Sequence, residues 1–227
     1  MKICGITNEE DALLAVAMGT DAIGFVFAPS KRQIAYQQVR DIARRLPPEV
    51  LTFGVFRDEL PSRVVEIVGQ AGLRGAQLHG RETPDQTQWV KERVPVVFKA
   101  FAAGDPSIAK ADLYGADAIL IDGMNPGSGE VYDWALAADA PGSQRLMLAG
   151  GLTPENVASA IRRVHPWGVD VSSGVEESPG RKDPRKLRAF IAAVRSTESD
   201  VDDLGTHKLS DSKFHEIEGP YDWQEDD

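Results

Sequence analysis

Residues 51–78 read LTFGVF, RDEL, PSRVVEIVGQAGLR and GAQL in succession. The first block, Leu51–Phe56, is a short run of apolar and β-branched residues, and the second is a charged turn. The third opens on Pro61 and carries helical periodicity, and the fourth, Gly75–Leu78, is apolar again. Strand, turn, helix and strand in that order form the βα unit of a parallel sheet. Proline suits the head of the helix, because a first-turn N–H has no intrahelical partner to lose.

Working outward, the same unit recurs along the chain. Strands are expected at Lys2–Ile6, Ala22–Phe27, Leu51–Phe56, Gly75–Leu78, Val96–Ala100, Ala118–Asp122, Arg145–Ala149 and Gly168–Ser172. Most are apolar on both faces, which suits strands buried between a barrel interior and an outer ring of helices. Helix starts support the count. Thr7 with Glu10 has the spacing of a capping box, and Thr83-Pro84, Thr153-Pro154 and Asp183-Pro184 each set a capping side chain before a proline. A short helix is expected at Pro106–Tyr114 between strands five and six. Eight units in about 195 residues predict an α/β protein built as a single (β/α)8 TIM barrel. An open doubly wound sheet would also suit alternating elements, but its Gly-x-Gly-x-x-Gly turn after an early strand is absent.

Composition agrees with one domain. The 227 residues are 42% hydrophobic and 26% charged, with no apolar run long enough to cross a bilayer, so no membrane partner is expected. The first residues, Met1 to Thr7, do not read as a secretory signal, and a cytoplasmic location is expected. Cys4 is the only cysteine, which leaves no internal disulfide. The net charge of −10 is uneven: residues 197–227 hold eleven Asp and Glu against two Lys, and residues 1–196 hold 24 against 23 basic. A barrel domain over 1–196 and a flexible acidic tail over 197–227 are the expected organisation. No cluster of positive charge suggests nucleic-acid binding.

A barrel of this kind builds its site at the C-terminal ends of the strands. Cys4 falls on strand one, Arg32 after strand two, Gln77 and His79 at the end of strand four, Asp122 at the end of strand six and Asp170 on strand eight. Gly150-Gly151 after strand seven and Ser172-Ser173-Gly174 after strand eight mark the place where such barrels hold a phosphate on backbone N–H groups. Plainer readings stand beside these. Cys4 alone reads as a small buried hydrophobe, Asp122 as a helix cap, Asp170 as an interior acceptor, Arg32 as a solvated loop residue and His79 as a hydrogen-bonded strand end.

Five segments carry a family resemblance: Lys-Ile-Cys-Gly-Ile-Thr at 2–7, Gly-Phe-Val-Phe-Ala-Pro at 24–29, Gln-Leu-His-Gly at 77–80, Leu-Ala-Gly-Gly-Leu-Thr-Pro-Glu-Asn-Val at 148–157 and Val-Asp-Val-Ser-Ser-Gly-Val-Glu at 169–176. In order, from residue 2 to about 194, they resemble phosphoribosylanthranilate isomerase. The resemblance implies an Amadori rearrangement of N-(5-phosphoribosyl)anthranilate in tryptophan biosynthesis, with a small-molecule substrate, no cofactor or metal, and a monomer or homodimer. It implies Asp122 as general acid and Cys4 as general base. Arg32 would hold the anthranilate carboxylate, Asp170 a substrate hydroxyl, Gln77 and His79 would line the site, and Gly151, Ser172, Ser173 and Gly174 would hold the phosphate.

The chemistry makes demands on the two catalytic groups. An ordinary Asp is almost all carboxylate at neutral pH, so Asp122 should be desolvated. An ordinary Cys is mostly thiol there, so Cys4 should have positive surroundings. Two loops depart from the family pattern: Asn125-Pro126-Gly127-Ser128-Gly129 carries a rigid proline where relatives have glycine, and Pro29–Gln33 is one residue short, which bears on Arg32. Ribulose-phosphate epimerases and the histidine-pathway isomerase share the fold, and Cys4 separates this chain from them. A non-catalytic barrel that binds a phosphometabolite would have no need of both Cys4 and Asp122.

Overall fold

A computed structural model describes residues 1–123, Trp134 and residues 144–202. Eight parallel strands close into a barrel in chain order: β1 (Lys2–Ile3), β2 (Ala22–Val26), β3 (Leu51–Phe56), β4 (Gly75–Leu78), β5 (Val96–Ala102), β6 (Ala118–Asp122), β7 (Leu146–Leu148) and β8 (Gly168–Val171). The TIM barrel expected from the sequence is the fold observed. Around it lie α1 (Glu9–Ala17), α2 (Tyr36–Ala43), α3 (Pro61–Ala71), α4 (Pro84–Lys91), a 3-10 helix at Pro106–Tyr114, α5 (Val157–Val164) and α6 (Pro184–Asp202). None of the helices among the described residues is long and apolar enough to cross a membrane.

Side chains alternate across each strand, and the alternation divides the core into two shells. Inside the barrel pack Phe53, Val96, Phe98, Leu120 and Met147. Their strand neighbours Ile23, Phe25, Ile119, Ile121, Val169 and Val171 face outward against helix residues such as Val64, Ile67, Leu187 and Phe190. Phe53 and Phe98 stack at 4.4 Å, and Trp167 meets Phe98 edge-on at 6.4 Å toward the N-terminal end. The same alternation fixes the upper layer. On β6, Ala118, Leu120 and Asp122 share the inner face, so the carboxylate comes last and highest. By that rule Lys2 and Cys4, Gln77 and His79, and Asp170 and Ser172 also point inward.

Local chemistry moves several boundaries from their expected places. β1 stops at Ile3 rather than Ile6, because Gly5 turns the chain with φ +72°. The first helix is capped by Asn8, whose side chain accepts from the Asp11 N–H at 2.8 Å. Thr7, the expected cap, instead donates its hydroxyl to the Gly180 carbonyl. Thr83 and Pro84 open α4 with a capping box, as expected. Pro154 does not open α5: the Asn156 side chain accepts from the Thr153 N–H and donates to the Gly151 carbonyl, and the helix begins at Val157. The span Pro106–Tyr114 is helical but as 3-10 turns, with non-helical angles at Lys110.

α6 runs to Asp202, beyond the expected domain edge at 196. Between Pro184 and Gly205 the sequence has neither proline nor glycine to stop it. Residues 203–227, most of the expected tail, lie outside the described residues. A short antiparallel hairpin that the sequence reading did not expect, β9 (Glu176–Ser178) and β10 (Arg181–Lys182), follows β8.

Phe53 is fully buried in the inner shell. Replacing it by Ala should lower stability by about 3–5 kcal/mol through lost burial and an unfilled cavity, read as the shift in a urea unfolding curve.

Candidate active site

A cavity of about 200 Å³ opens at the C-terminal ends of the strands. Cys4, Arg32, Gln77, His79, Asp122 and Asp170 line it, with Gly151, Ser172 and Ser173 along one side. Of the residues expected at the site only Gly174 stands back from the wall. A Cβ there would overlap the Leu152 carbonyl oxygen, so Gly174 lets the turn after β8 pack tightly on the turn after β7. Gly150 and Gly151 both take left-handed angles, φ +82° and +64°. A Cβ on Gly150 would strike the backbone of Gly123 and come within 2.7 Å of Asp122 Oδ1. Gly150 and Gly174 are therefore required by close approach, and Gly151 by its left-handed angle.

Cys4 is buried, and its N–H donates to the Val171 carbonyl at 2.8 Å, fixing it against β8. Its side chain shares the space over Gly24 with Lys2. A Cβ on Gly24 would come 2.7 Å from Cys4 Sγ and 3.0 Å from Lys2 Nζ. Burial pushes the Cys4 thiol up, the Lys2 ammonium pulls it down, and Asp170 pushes it up again, leaving it above the ordinary value. The positive surroundings expected for Cys4 are present, but burial outweighs them. Lys2 is fully enclosed and pairs with Asp170 Oδ1 at 3.0 Å. Burial works against its charge, yet Asp170 and Cys4 hold its pKa above the usual lysine value.

Asp122 is buried at 8% exposure, the desolvated position expected of it. Oδ1 accepts from the Gly123 N–H at 2.7 Å, and Oδ2 stands 3.3 Å from His79 Nε2. The Gln77 amide holds His79 Nδ1 at 3.0 Å, which sets the ring so that Nε2 faces the carboxylate. Three buried polar atoms of this cavity, Gln77 Oε1, His79 Nε2 and Ser172 Oγ, have no hydrogen-bond partner among the described residues. Buried groups of this kind are costly unless something polar meets them, and their convergence on one cavity marks it as a binding site for a polar molecule.

Arg32 reaches the mouth from the loop after β2, where its N–H is tied to Ser30 Oγ. Its Nε and Nη2 form a bidentate pair with Glu176 at 2.8 and 2.7 Å. One edge of the guanidinium is thus taken by a protein carboxylate. Lys182 Nζ completes the group, donating to Glu176 at 3.0 Å and to the carbonyls of Cys4 and Ser172 at 2.7 and 3.2 Å. Burial pushes the Glu176 carboxyl up, but Arg32 and Lys182 overrule it and hold it below the ordinary value. Sequence reasoning missed Lys2, Glu176 and Lys182, and Arg57, which follows β3 and lines the cavity. Lys2 had a legible signal, since it shares the inward face of its strand with Cys4 two residues on. Glu176 closes the segment 169–176, but its pairing with Arg32, 144 residues away, and the reach of Lys182 to the Cys4 carbonyl, 178 residues away, had no local signal.

Among the described residues, no group of three His, Cys, Asp or Glu side chains is arranged to hold a metal. The segment Asn125–Gly129, with its proline at 126, lies outside the described residues.

Residues 1–193 match the family model described as N-(5'phosphoribosyl)anthranilate (PRA) isomerase. An N-(5'-phosphoribosyl)anthranilate isomerase of Desulforudis audaxviator (strain MP104C) is 48% identical over 202 residues, covering 86% of this chain and 97% of the relative. Among solved structures, phosphoribosyl anthranilate isomerase from Thermus thermophilus superposes with TM-score 0.79 at 44% identity, covering 86% of this chain and 98% of the other. Another phosphoribosyl anthranilate isomerase, solved in complex with reduced 1-(o-carboxyphenylamino)-1-deoxyribulose 5-phosphate, has TM-score 0.75 at 40% identity, covering 86% and 97%.

Because the Glu176 pKa is depressed on folding, its stabilising effect is present above the ordinary carboxylate range and is lost as pH falls through the depressed value. Glu176→Gln should cost about 3–5 kcal/mol at neutral pH, the usual cost of removing one partner from a buried pair. The gap from wild type should close in acid, which urea unfolding at a series of pH values would measure.

Proposed function

The chain belongs to the N-(5'-phosphoribosyl)anthranilate isomerase family, and from that premise we propose how its cavity carries out the isomerisation. It is an isomerase of tryptophan biosynthesis. In our reading the substrate is N-(5-phosphoribosyl)anthranilate and the product 1-(2-carboxyphenylamino)-1-deoxyribulose 5-phosphate. The observation that carries this reading is the pair of buried side chains facing one cavity: Cys4 at the end of β1 and Asp122 at the end of β6, three strands apart around the barrel.

Asp122 gives a proton to the furanose ring oxygen as the C1′–O bond breaks, leaving a protonated Schiff base at C1′. Its Oδ1 already accepts from the Gly123 N–H, so Oδ2 is the oxygen suited to carry the proton. Cys4, as thiolate, then removes the C2′ proton. The enolamine so formed takes a proton at C1′ and loses the one on its C2′ hydroxyl, giving the ketone. No redox step occurs: after the product forms Asp122 is one proton short and Cys4 one proton over, and exchange with solvent restores both before the next turnover.

The remaining lining residues orient the substrate. The phosphate sits at the turns after β7 and β8, near Gly151, Ser172, Ser173 and Gly174, where glycine allows backbone approach and the Ser172 hydroxyl has no hydrogen-bond partner among the described residues. Arg32, with Nε and Nη2 engaged by Glu176, offers its other edge to the anthranilate carboxylate. Asp170 receives a substrate hydroxyl, Gln77 Oε1 faces the cavity without a partner among the described residues, and His79 Nε2 stands beside the Asp122 carboxylate.

The test follows the fluorescence decay of freshly generated phosphoribosylanthranilate with chelator present. Cys4→Ser and Asp122→Asn should each lower kcat by about 10²–10⁴-fold, the usual contribution of a positioned acid or base. Two fully active variants would sink the assignment.

A further inference from the structure

The acid–base reading leaves one buried cation without a part. Lys2 is fully enclosed inside the barrel, with its ammonium beside Asp170, Cys4 and Gly24 rather than in solvent. Enclosing an ammonium and a carboxylate together gains little stability over well-packed apolar side chains, because desolvation cancels the attraction. The other buried lysines have structural partners that account for them. Lys99 donates to the carbonyls of Gly80 and Ala100 and to Glu82. Lys182 donates to the carbonyls of Cys4 and Ser172 and to Glu176. Lys2 donates to Asp170 Oδ1 at 3.0 Å, and Cys4 Sγ shares the space over Gly24 with its ammonium.

We propose that Lys2 is a positioning residue for the base: its ammonium, anchored by Asp170, supplies the positive charge against which the Cys4 thiolate forms. The geometry is built for this. Lys2 and Cys4 lie on the same face of β1, Lys2 stands opposite Asp170 in the ladder with β8, and Gly24 on β2 leaves room for Sγ and Nζ together. The proposal rests on Cys4 being the base. When Cys4 takes the C2′ proton it returns to neutral thiol, and Lys2 keeps its own proton throughout. The ammonium therefore stabilises charge without transferring it.

Other charged groups face Cys4 as well. Asp170 opposes the thiolate from β8, Lys182 approaches from β10, and Arg32 lies over the mouth with Glu176. Asp122 and His79 stand across the cavity. Lys2 exerts the largest of the favourable charge effects on the thiol.

Because Cys4 is the only cysteine in the chain, the pH dependence of its alkylation by iodoacetamide reads its titration directly in the full-length protein. Lys2→Met should move the midpoint up by about one to three pH units, the range for an opposite charge at short distance. Lys2→Arg should keep it near wild type. Lys2→Met/Asp170→Asn leaves no buried carboxylate unpaired, folds where the single variant does not, and should shift the midpoint upward by less. A folded Lys2→Met or double variant with a wild-type midpoint would overturn the proposal. If the midpoint moves in Lys2→Met but isomerase kcat/KM at neutral pH stays at the wild-type value, Lys2 governs the thiol and the assignment of Cys4 as base is what fails.

Discussion

The ladder between β1 and β8 closes the barrel with two residue pairs, Lys2 opposite Asp170 and Ile3 opposite Val171. It is a very short seam, since Gly5 turns the chain away immediately afterward. Ile3 seals its outer side against the helices, while on the inner side an ion pair crosses the join. Cys4 follows directly, tied to Val171 by its backbone N–H. The position of the thiol in the cavity thus depends on closure itself. Closure also decides which groups share its low-dielectric surroundings, where neighbouring charges act strongly.

The mouth of the barrel is held by two further buried ion pairs, each tying loops that are distant in sequence. Lys99 and Glu82 lie beneath the turns after β3 and β4. Glu82 accepts from the N–H groups of Asp58 and Gly80, so the chain just after His79 is fixed from below. Lys182 and Glu176 do the same on the opposite side, where the β9–β10 hairpin brings them under Arg32. In both cases a carboxylate collects several donors at once. That arrangement satisfies buried backbone groups while limiting the motion of the side chains that face the cavity.

Acid and base on the two sides of the cavity are given different surroundings by the same fold. Asp122 meets a backbone N–H, a glycine turn and a histidine, whereas Cys4 lies between an ammonium and a carboxylate. Burial disfavours the charged form of the thiol, and only nearby cations oppose it. A base at neutral pH must come from that balance, and its cations arrive from β1, from the β10 strand and from the loop after β2.

Much of this was legible in the sequence for a definite reason. Alternation along a strand is local, so the eight apolar runs specified the barrel. The polar residues ending strands one, four, six and eight specified which side chains would look into its mouth. Thr83-Pro84 likewise fixed a helix start, because a cap and its N–H are three residues apart. Local rules failed where a distant group competed. Thr7 was drawn to the Gly180 carbonyl, leaving Asn8 to cap α1. Asn156 took the turn that Thr153-Pro154 was expected to begin. Arg32 found Glu176, 144 residues on, and Cys4 acquired Lys182 at its carbonyl, 178 residues on. The sequence alone determined the barrel and the inward-facing side chains, since both follow from short-range periodicity. Only the tertiary structure decided their charged partners, because those pairs exist only once closure brings the last strand beside the first.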